Sequence, residues 1–198
     1  MSTTEIRVAG FGGQGVILSA MILGKAGCIY QPGYSTLTQN FGPEARGSAC
    51  SAQVILSDQP VLYPYVAHPD ILVVMSQDAY RRFTPDLKAG GLLVVEQDLV
   101  RVDHPHGGIR IRSVPATRLA EELGKRMVLN IVMVGFFGAV TGLLTPEALR
   151  QAVADSVPKA SVELNLRAFD RGYEYGLTQA GPLVETEEDH VSAIEGMG

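Results

Sequence analysis

The stretch VAGFGGQG, residues 8–15, lies close behind the first charged and apolar alternation of the chain and fits the template G-x-G-x-x-G at Gly10, Gly12 and Gly15. Before it runs EIRVA, residues 5–9, a short β-run that ends at glycine. After it comes GQGVILSAMILGKAGCIY, rich in helix formers and apolar on nearly every face. A helix that is apolar all round is buried, here between a sheet and a second layer. Strand, glycine turn and helix together open an α/β unit, in which the glycines permit a tight turn and bring backbone N–H groups close to an anion.

The rest of the chain carries the same signature. YSTLTQN and SACSAQVILSD are rich in β-branched and small residues and read as strands. DILVVMS and GGLLVVEQD are continuous apolar runs between turn signals, as expected of strands covered on both faces. RIRSV is a further strand candidate, QDAYRRFTPDL reads as helical, and PATRLAEELG is an amphipathic helix that Gly124 would end. From Asn130 onward the pattern is helical. Thr145 and Pro146 supply a hydroxyl N-cap and a proline at the first helical position. The last helix, from about Pro158, places Val162, Leu166, Phe169, Tyr173 and Leu177 on one stripe. Strands alternating with helices, followed by terminal helices, give an α/β domain with a mostly parallel sheet. Residues 1–180 are expected to form this single domain. Residues 181–198, with five acidic residues and no Lys or Arg, are expected to be a disordered acidic tail or an arm that orders on a partner.

Charge and cysteine content narrow the function. A net charge of -5 gives no electrostatic footprint for nucleic acid. The two cysteines, Cys28 and Cys50, are isolated, so the chain alone cannot hold an iron–sulfur cluster, which usually needs four thiolates. Free thiols and the lack of a basic-then-apolar N-terminal pattern point to the cytoplasm. The longest apolar run, residues 128–144, is broken by Asn130 and Thr141 and reads as a buried helix rather than a membrane span. Its Gly135, Gly138 and Gly142 share a face that would let another helix approach, from this chain or from another subunit. His104 and His106 stand in DHPHGG, where proline and glycines indicate a loop, so no metal site is assigned. His68, before Pro69, reads as a turn residue. Tyr63 and Tyr65 in LYPYVAHPD could face a partner or pack on the core.

The opening turn does not read as a dinucleotide site. Such a site wants Asp or Glu about 20 residues on, for the ribose hydroxyls. Here the neighbourhood is YQPGYSTLTQN, with no acid before Glu44. No lysine follows the last glycine, so it is not a phosphate-binding P-loop either. Gln14, with donor and acceptor groups, would project where a ligand lies. A plain strand-to-helix turn remains the alternative. A second loop, FGPEARGS, residues 41–48, holds Arg46, whose planar fork suits phosphate or carboxylate, beside Gly47 and Ser48. Taken alone, Arg46 could equally form a surface salt bridge.

Together, AGFGGQG and FGPEARGS resemble the paired motifs of the gamma subunit of 2-oxoacid:ferredoxin oxidoreductases. The resemblance continues through PDILVVMSQDAY, GGLLVVEQDLV, NIVMVGFFGAVTGLL and VPKASVELNLRAFDRGYEYG, roughly residues 6–176. One departure is Ser48, where the family often has glycine. The resemblance implies a Rossmann-like α/β fold with helices on the sheet and a helical C-terminal part. It implies a hetero-oligomeric enzyme that decarboxylates a 2-oxoacid on thiamine diphosphate, passes electrons through iron–sulfur clusters to ferredoxin, and forms an acyl-CoA. Thiamine diphosphate, magnesium and the clusters belong to alpha and beta partners, with delta where present, and the isolated chain is expected to be inactive. It further implies that Gly10, Gly12, Gly13, Gln14, Gly15, Arg46, Gly47 and Ser48 border coenzyme A, with no catalytic residue in this chain. The style is most like the 2-oxoglutarate type, 2-oxoglutarate synthase; the pyruvate, branched-chain and indolepyruvate types are alternatives, as is a stand-alone nucleotide- or CoA-binding module. Without its partners the chain is expected to form a homodimer through the glycine-faced helix and the aromatic loop. No nucleic-acid or membrane partner is expected.

Overall fold

The computed structural model describes residues 3–40, 49–103 and 108–179. Strand β1 (Thr4–Phe11) leads through the glycine turn into helix α1 (Val16–Cys28). Then follow β2 (Tyr34–Asn40), β3 (Ala49–Ser57), β4 (Ile71–Val74), α2 (Gln77–Phe83), β5 (Leu92–Glu96), β6 (Arg110–Val114) and α3 (Ala116–Glu122). Helices α4 (Leu129–Thr141), α5 (Pro146–Ser156) and α6 (Val162–Thr178) complete the helical C-terminal part. The six strands form one sheet in the order β2-β3-β1-β4-β5-β6.

The sheet is mixed. β1, β4, β5 and β6 are parallel neighbours, as the buried apolar runs led us to expect. β3 instead lies antiparallel to β1, and β2 antiparallel to β3. The apolar strands β4 and β5 are buried along their whole length because both faces are covered. Ile6, Val8, Val73 and Val94 point to the large core shared with α1, α3, α4, α5 and α6. Leu72, Val74, Leu93 and Val95 point to a smaller core that includes Ala79 and Tyr80 of α2. Toward β3 this second face turns polar: Arg7, Ser51, Gln53 and Ser57 are all buried.

The helix ends follow their caps. Thr145 accepts a hydrogen bond from the Ala148 amide (3.2 Å) with Pro146 beside it, and Gly124 leaves α3 in the left-handed region at φ +84. Two expectations change. Gly142 does not share the packing face of Gly135 and Gly138; it is the left-handed C-cap of α4, at φ +60, with nothing near a prospective side chain. In α6 the buried stripe is Asn165, Ala168, Phe169, Gly172 and Gly176, whereas Leu177 is exposed. A stripe drawn through large apolar residues missed a contact face built from small ones.

Gly135 and Gly172 explain that face. A methyl group on Gly172 would drive into the Val132 carbonyl, and one on Gly135 into the Phe169 carbonyl. Helices α4 and α6 thus meet backbone to backbone, with Phe136 and Phe169 sealed beside the contact. The glycine face is occupied within the chain, so it is not the dimer surface anticipated from the sequence. Tyr63 and Tyr65 are exposed and stack edge to face with centroids 5.5 Å apart. Among the described residues, no helix is long and apolar enough to cross a membrane.

Candidate functional site

The glycine turn sits at the carboxyl end of β1, where open α/β sheets place their ligands. The Gln14 amide donates to the Phe11 carbonyl (3.1 Å), closing the turn, and only Gly13 and Gly15 have left-handed φ, +95 and +76. Gln14 does not project toward a ligand. Its Oε1 accepts from the Phe11 amide (2.6 Å) and its Nε2 donates to the Met75 carbonyl (2.8 Å). The Met75 amide in turn donates to the Ala9 carbonyl (2.9 Å). Gln14 therefore ties the ends of β1 and β4 together, which fixes the shape of the turn. The pattern of residue types displayed both capacities of its amide but not the partners that use them.

The glycines divide by role. A methyl on Gly10 would meet Gln14 Oε1 at 2.6 Å and crowd Val16 and Met75, so Gly10 makes room for the Gln14 carbonyl. One on Gly15 would strike the Asn130 side chain, whose Nδ2 lies 3.5 Å from the Gly15 carbonyl. Ser19 Oγ also donates to that carbonyl, at 3.0 Å. A methyl on Gly12 or Gly13 would meet nothing within 4 Å among the described residues. Asn130, buried at the start of α4, is a residue of this site that sequence reasoning did not select; its signal was a lone amide interrupting the longest apolar run.

Helix α1 begins here without a side-chain cap and with no acidic residue in its own first turn to offset its positive end. Of the other helices that begin at this end, α4 likewise has no side-chain cap and no acidic residue in its first turn, whereas α2 and α3 are served by their own chain. Ser76 caps α2 through the Ala79 amide (3.2 Å). The Glu96 carboxylate, fully buried at the end of β5, accepts from the Leu99 amide (2.6 Å) and from the Thr117 amide in the first turn of α3 (2.9 Å).

Arg46, Gly47 and Ser48 lie outside the described residues, as do His104, His106 and residues 180–198. The attachment points of the 41–48 loop are described. Ala49 pairs with Phe11, the residue before the glycine turn, and Asn40 pairs with Ser51. β1 and β2 are not adjacent; β3 runs between them, antiparallel to both. Cys50, the register partner of Gly10, is buried, and burial pushes its thiol pKa up, away from thiolate chemistry. Cys28 stands apart at the exposed end of α1. His68 is exposed in a bend, its Nδ1 3.2 Å from the Asp86 carbonyl. Among the described residues, no group of three or more His, Cys, Asp or Glu side chains could hold a metal ion.

Residues 5–175 match the family model described as pyruvate ferredoxin/flavodoxin oxidoreductase. The chain belongs to this family. It is 45% identical to 2-oxoglutarate synthase subunit KorC of Methanocaldococcus jannaschii over 172 residues, 86% of this chain and 92% of that subunit. The crystal structure of the gamma subunit of a keto/oxoacid ferredoxin oxidoreductase from Geobacter sulfurreducens matches with a TM-score of 0.79 at 39% identity, over 88% of this chain and 99% of that one. The 2-oxoglutarate:ferredoxin oxidoreductase from Magnetococcus marinus, solved with 2-oxoglutarate, coenzyme A and succinyl-CoA bound, matches with a TM-score of 0.80 at 22% identity, over 90% of this chain and 32% of that one, a likeness of fold. This family member is a gamma subunit of a 2-oxoacid:ferredoxin oxidoreductase, most similar to the 2-oxoglutarate type, and its relatives are subunits of oxidoreductase complexes.

Proposed function

We propose that the chain completes a thiamine-diphosphate-dependent enzyme that converts 2-oxoglutarate and coenzyme A to succinyl-CoA and carbon dioxide while reducing ferredoxin. In this reading the alpha and beta subunits, with delta where present, carry the cofactors. Thiamine diphosphate bound there supplies the decarboxylation chemistry. The residues of this chain fit that division, because its two cysteines stand on separate elements and one is buried. The contribution of this chain is to border coenzyme A.

The observation that carries this role is the open backbone at Gly12 and Gly13 in front of the uncapped α1 terminus. Backbone N–H groups and a helix N-terminus suit a phosphate. Gln14 holds the turn in shape through its bonds to Phe11 and Met75. Arg46, Gly47 and Ser48 would approach from the loop that returns to the sheet beside Phe11. The Magnetococcus enzyme, which shares the fold, holds coenzyme A.

Replacing Arg46 with Ala in the assembled enzyme tests this. Loss of a charge-assisted hydrogen bond of about 1.5–3 kcal/mol should raise KM for coenzyme A by roughly ten- to a hundredfold. KM for the 2-oxoacid should stay nearly unchanged. If the mutant fails to assemble in gel filtration while residual complex keeps its coenzyme A dependence, the loop fastens subunits and the ligand role is wrong.

A further inference from the structure

The two edges of the sheet differ. β6, at one edge, carries Arg110 and Arg112 and is followed by Pro115, the kind of residues that discourage another strand from adding. β2, at the other edge, reads YSTLTQN, with no charged residue and no proline. Its register with β3 runs one to one from Tyr34 to Asn40, without a bulge. Among the described residues no strand pairs with its outer side. Tyr34 and Leu37 are exposed on it. A regular, uncharged edge of seven residues presents backbone donors and acceptors that no described strand pairs, ready for strand addition.

We infer that β2 pairs with β2 of a second copy of this chain, antiparallel about a two-fold axis at Leu37, to give one continuous sheet across the dimer. The strand complements itself in that arrangement. Leu37 would face Leu37 of the second copy, Thr36 would face Thr38, and Tyr34 would face Asn40. Leu37 against Leu37 is an apolar pair of the kind that stabilises adjacent strands, while the Thr38 hydroxyl stays engaged with Gln53 of its own chain. Charge favours the same edge. Each copy carries a net charge of -5, so two copies repel over most of their surfaces, and β2 lets them approach without opposing like charges. This inference does not depend on a coenzyme A role for the glycine turn.

The test uses the full chain purified without its partner subunits. Sedimentation equilibrium at about ten to fifty micromolar, the range of modest interfaces, should give twice the chain mass. Leu37→Lys, which sets two like charges face to face, should give the monomer mass with its thermal unfolding little changed. Leu37→Cys in a Cys28→Ser background should form a disulfide-linked dimer on mild oxidation. Facing residues of antiparallel strands lie about 4.5–5.5 Å apart between Cα atoms, within disulfide range. Met127→Cys, also highly exposed, should not cross-link. A monomeric parent chain, a dimer that survives Leu37→Lys, or no cross-link at position 37 would each overturn the inference.

Discussion

Two sets of glycines do opposite work in this molecule. Between α4 and α6, Gly135 and Gly172 press against the backbone of the facing helix, and a methyl group on either would collide with a carbonyl. In the turn after β1, a methyl group on Gly12 or Gly13 would touch none of the described residues. The first pair is accounted for by the fold. For Gly12, neither a left-handed φ nor a neighbour among the described residues requires glycine.

The sharpest way to break the comparison is Gly172→Ala. By helix propensity alone, replacing an interior glycine with alanine gains about 1 kcal/mol. Here the added methyl group would meet the Val132 carbonyl and lie 3.0 Å from the Phe136 amide nitrogen, so α4 and α6 must part. Overpacking typically costs about 1–3 kcal/mol and more where backbone must move. Against a total of about 5–15 kcal/mol for a domain, a loss near the top of that range leaves little stability. Urea unfolding of the purified chain should show a large fall in midpoint, or the variant should fail to accumulate as folded protein. An unchanged midpoint would mean that the helices are not as close as described.

Gln14 gives the next largest effect. Gln14→Ala strands the Phe11 amide and the Met75 carbonyl, and an unsatisfied buried polar group costs about 1–3 kcal/mol. Gln14→Glu is the finer test. It keeps the acceptor for Phe11 but turns a carboxylate oxygen toward the Met75 carbonyl. Protonation restores a donor, so this variant should recover stability relative to the parent as pH falls through the pKa of its carboxyl group. Measuring the unfolding midpoint between about pH 4 and pH 7, which spans the carboxylate range, checks the sign. Equal loss at both ends would leave the bond to Met75 without a role.

What the sequence disclosed depended on the range of each interaction. The buried strands Ile71–Val74 and Leu92–Glu96 were legible as continuous apolar runs, because burial on both faces writes itself into neighbouring residues. The Thr145–Pro146 cap was legible for the same local reason. The antiparallel placement of β2 and β3 was not, since more residues separate Asn40 from Ala49 than the short turns that announce a hairpin contain. Arg7 passed unnoticed because its partners are distant in sequence: it pairs with Asp86 and donates to the Val66 carbonyl at 3.0 Å. The same holds for Gln14 and Met75, and for Asn130 against Gly15. The glycines of the opening turn were visible as a motif. Which of them the fold requires became clear only from their surroundings.

Gly12→Ala should have the smallest effect on stability and so bears most directly on function. Its φ lies outside the left-handed region and a methyl group there meets nothing within 4 Å. The variant should therefore unfold within about 0.5 kcal/mol of the parent. Restricting the unfolded chain could even stabilise it by about 0.4–1 kcal/mol. Gly13→Ala makes the control, because φ +95 strains any L side chain whatever the space. If a phosphate of coenzyme A rests against the turn, the methyl of Gly12→Ala stands between it and the backbone N–H groups. KM for coenzyme A in the assembled enzyme should then rise several-fold to about tenfold, about 1.4 kcal/mol at the upper end, with KM for the 2-oxoacid unchanged. A partner subunit seated on the turn predicts instead a weaker complex in gel filtration with ordinary coenzyme A dependence. If stability, assembly and coenzyme A dependence all stay at the parent level, nothing approaches this turn closely, and the two sets of glycines differ only in how tightly the chain surrounds them.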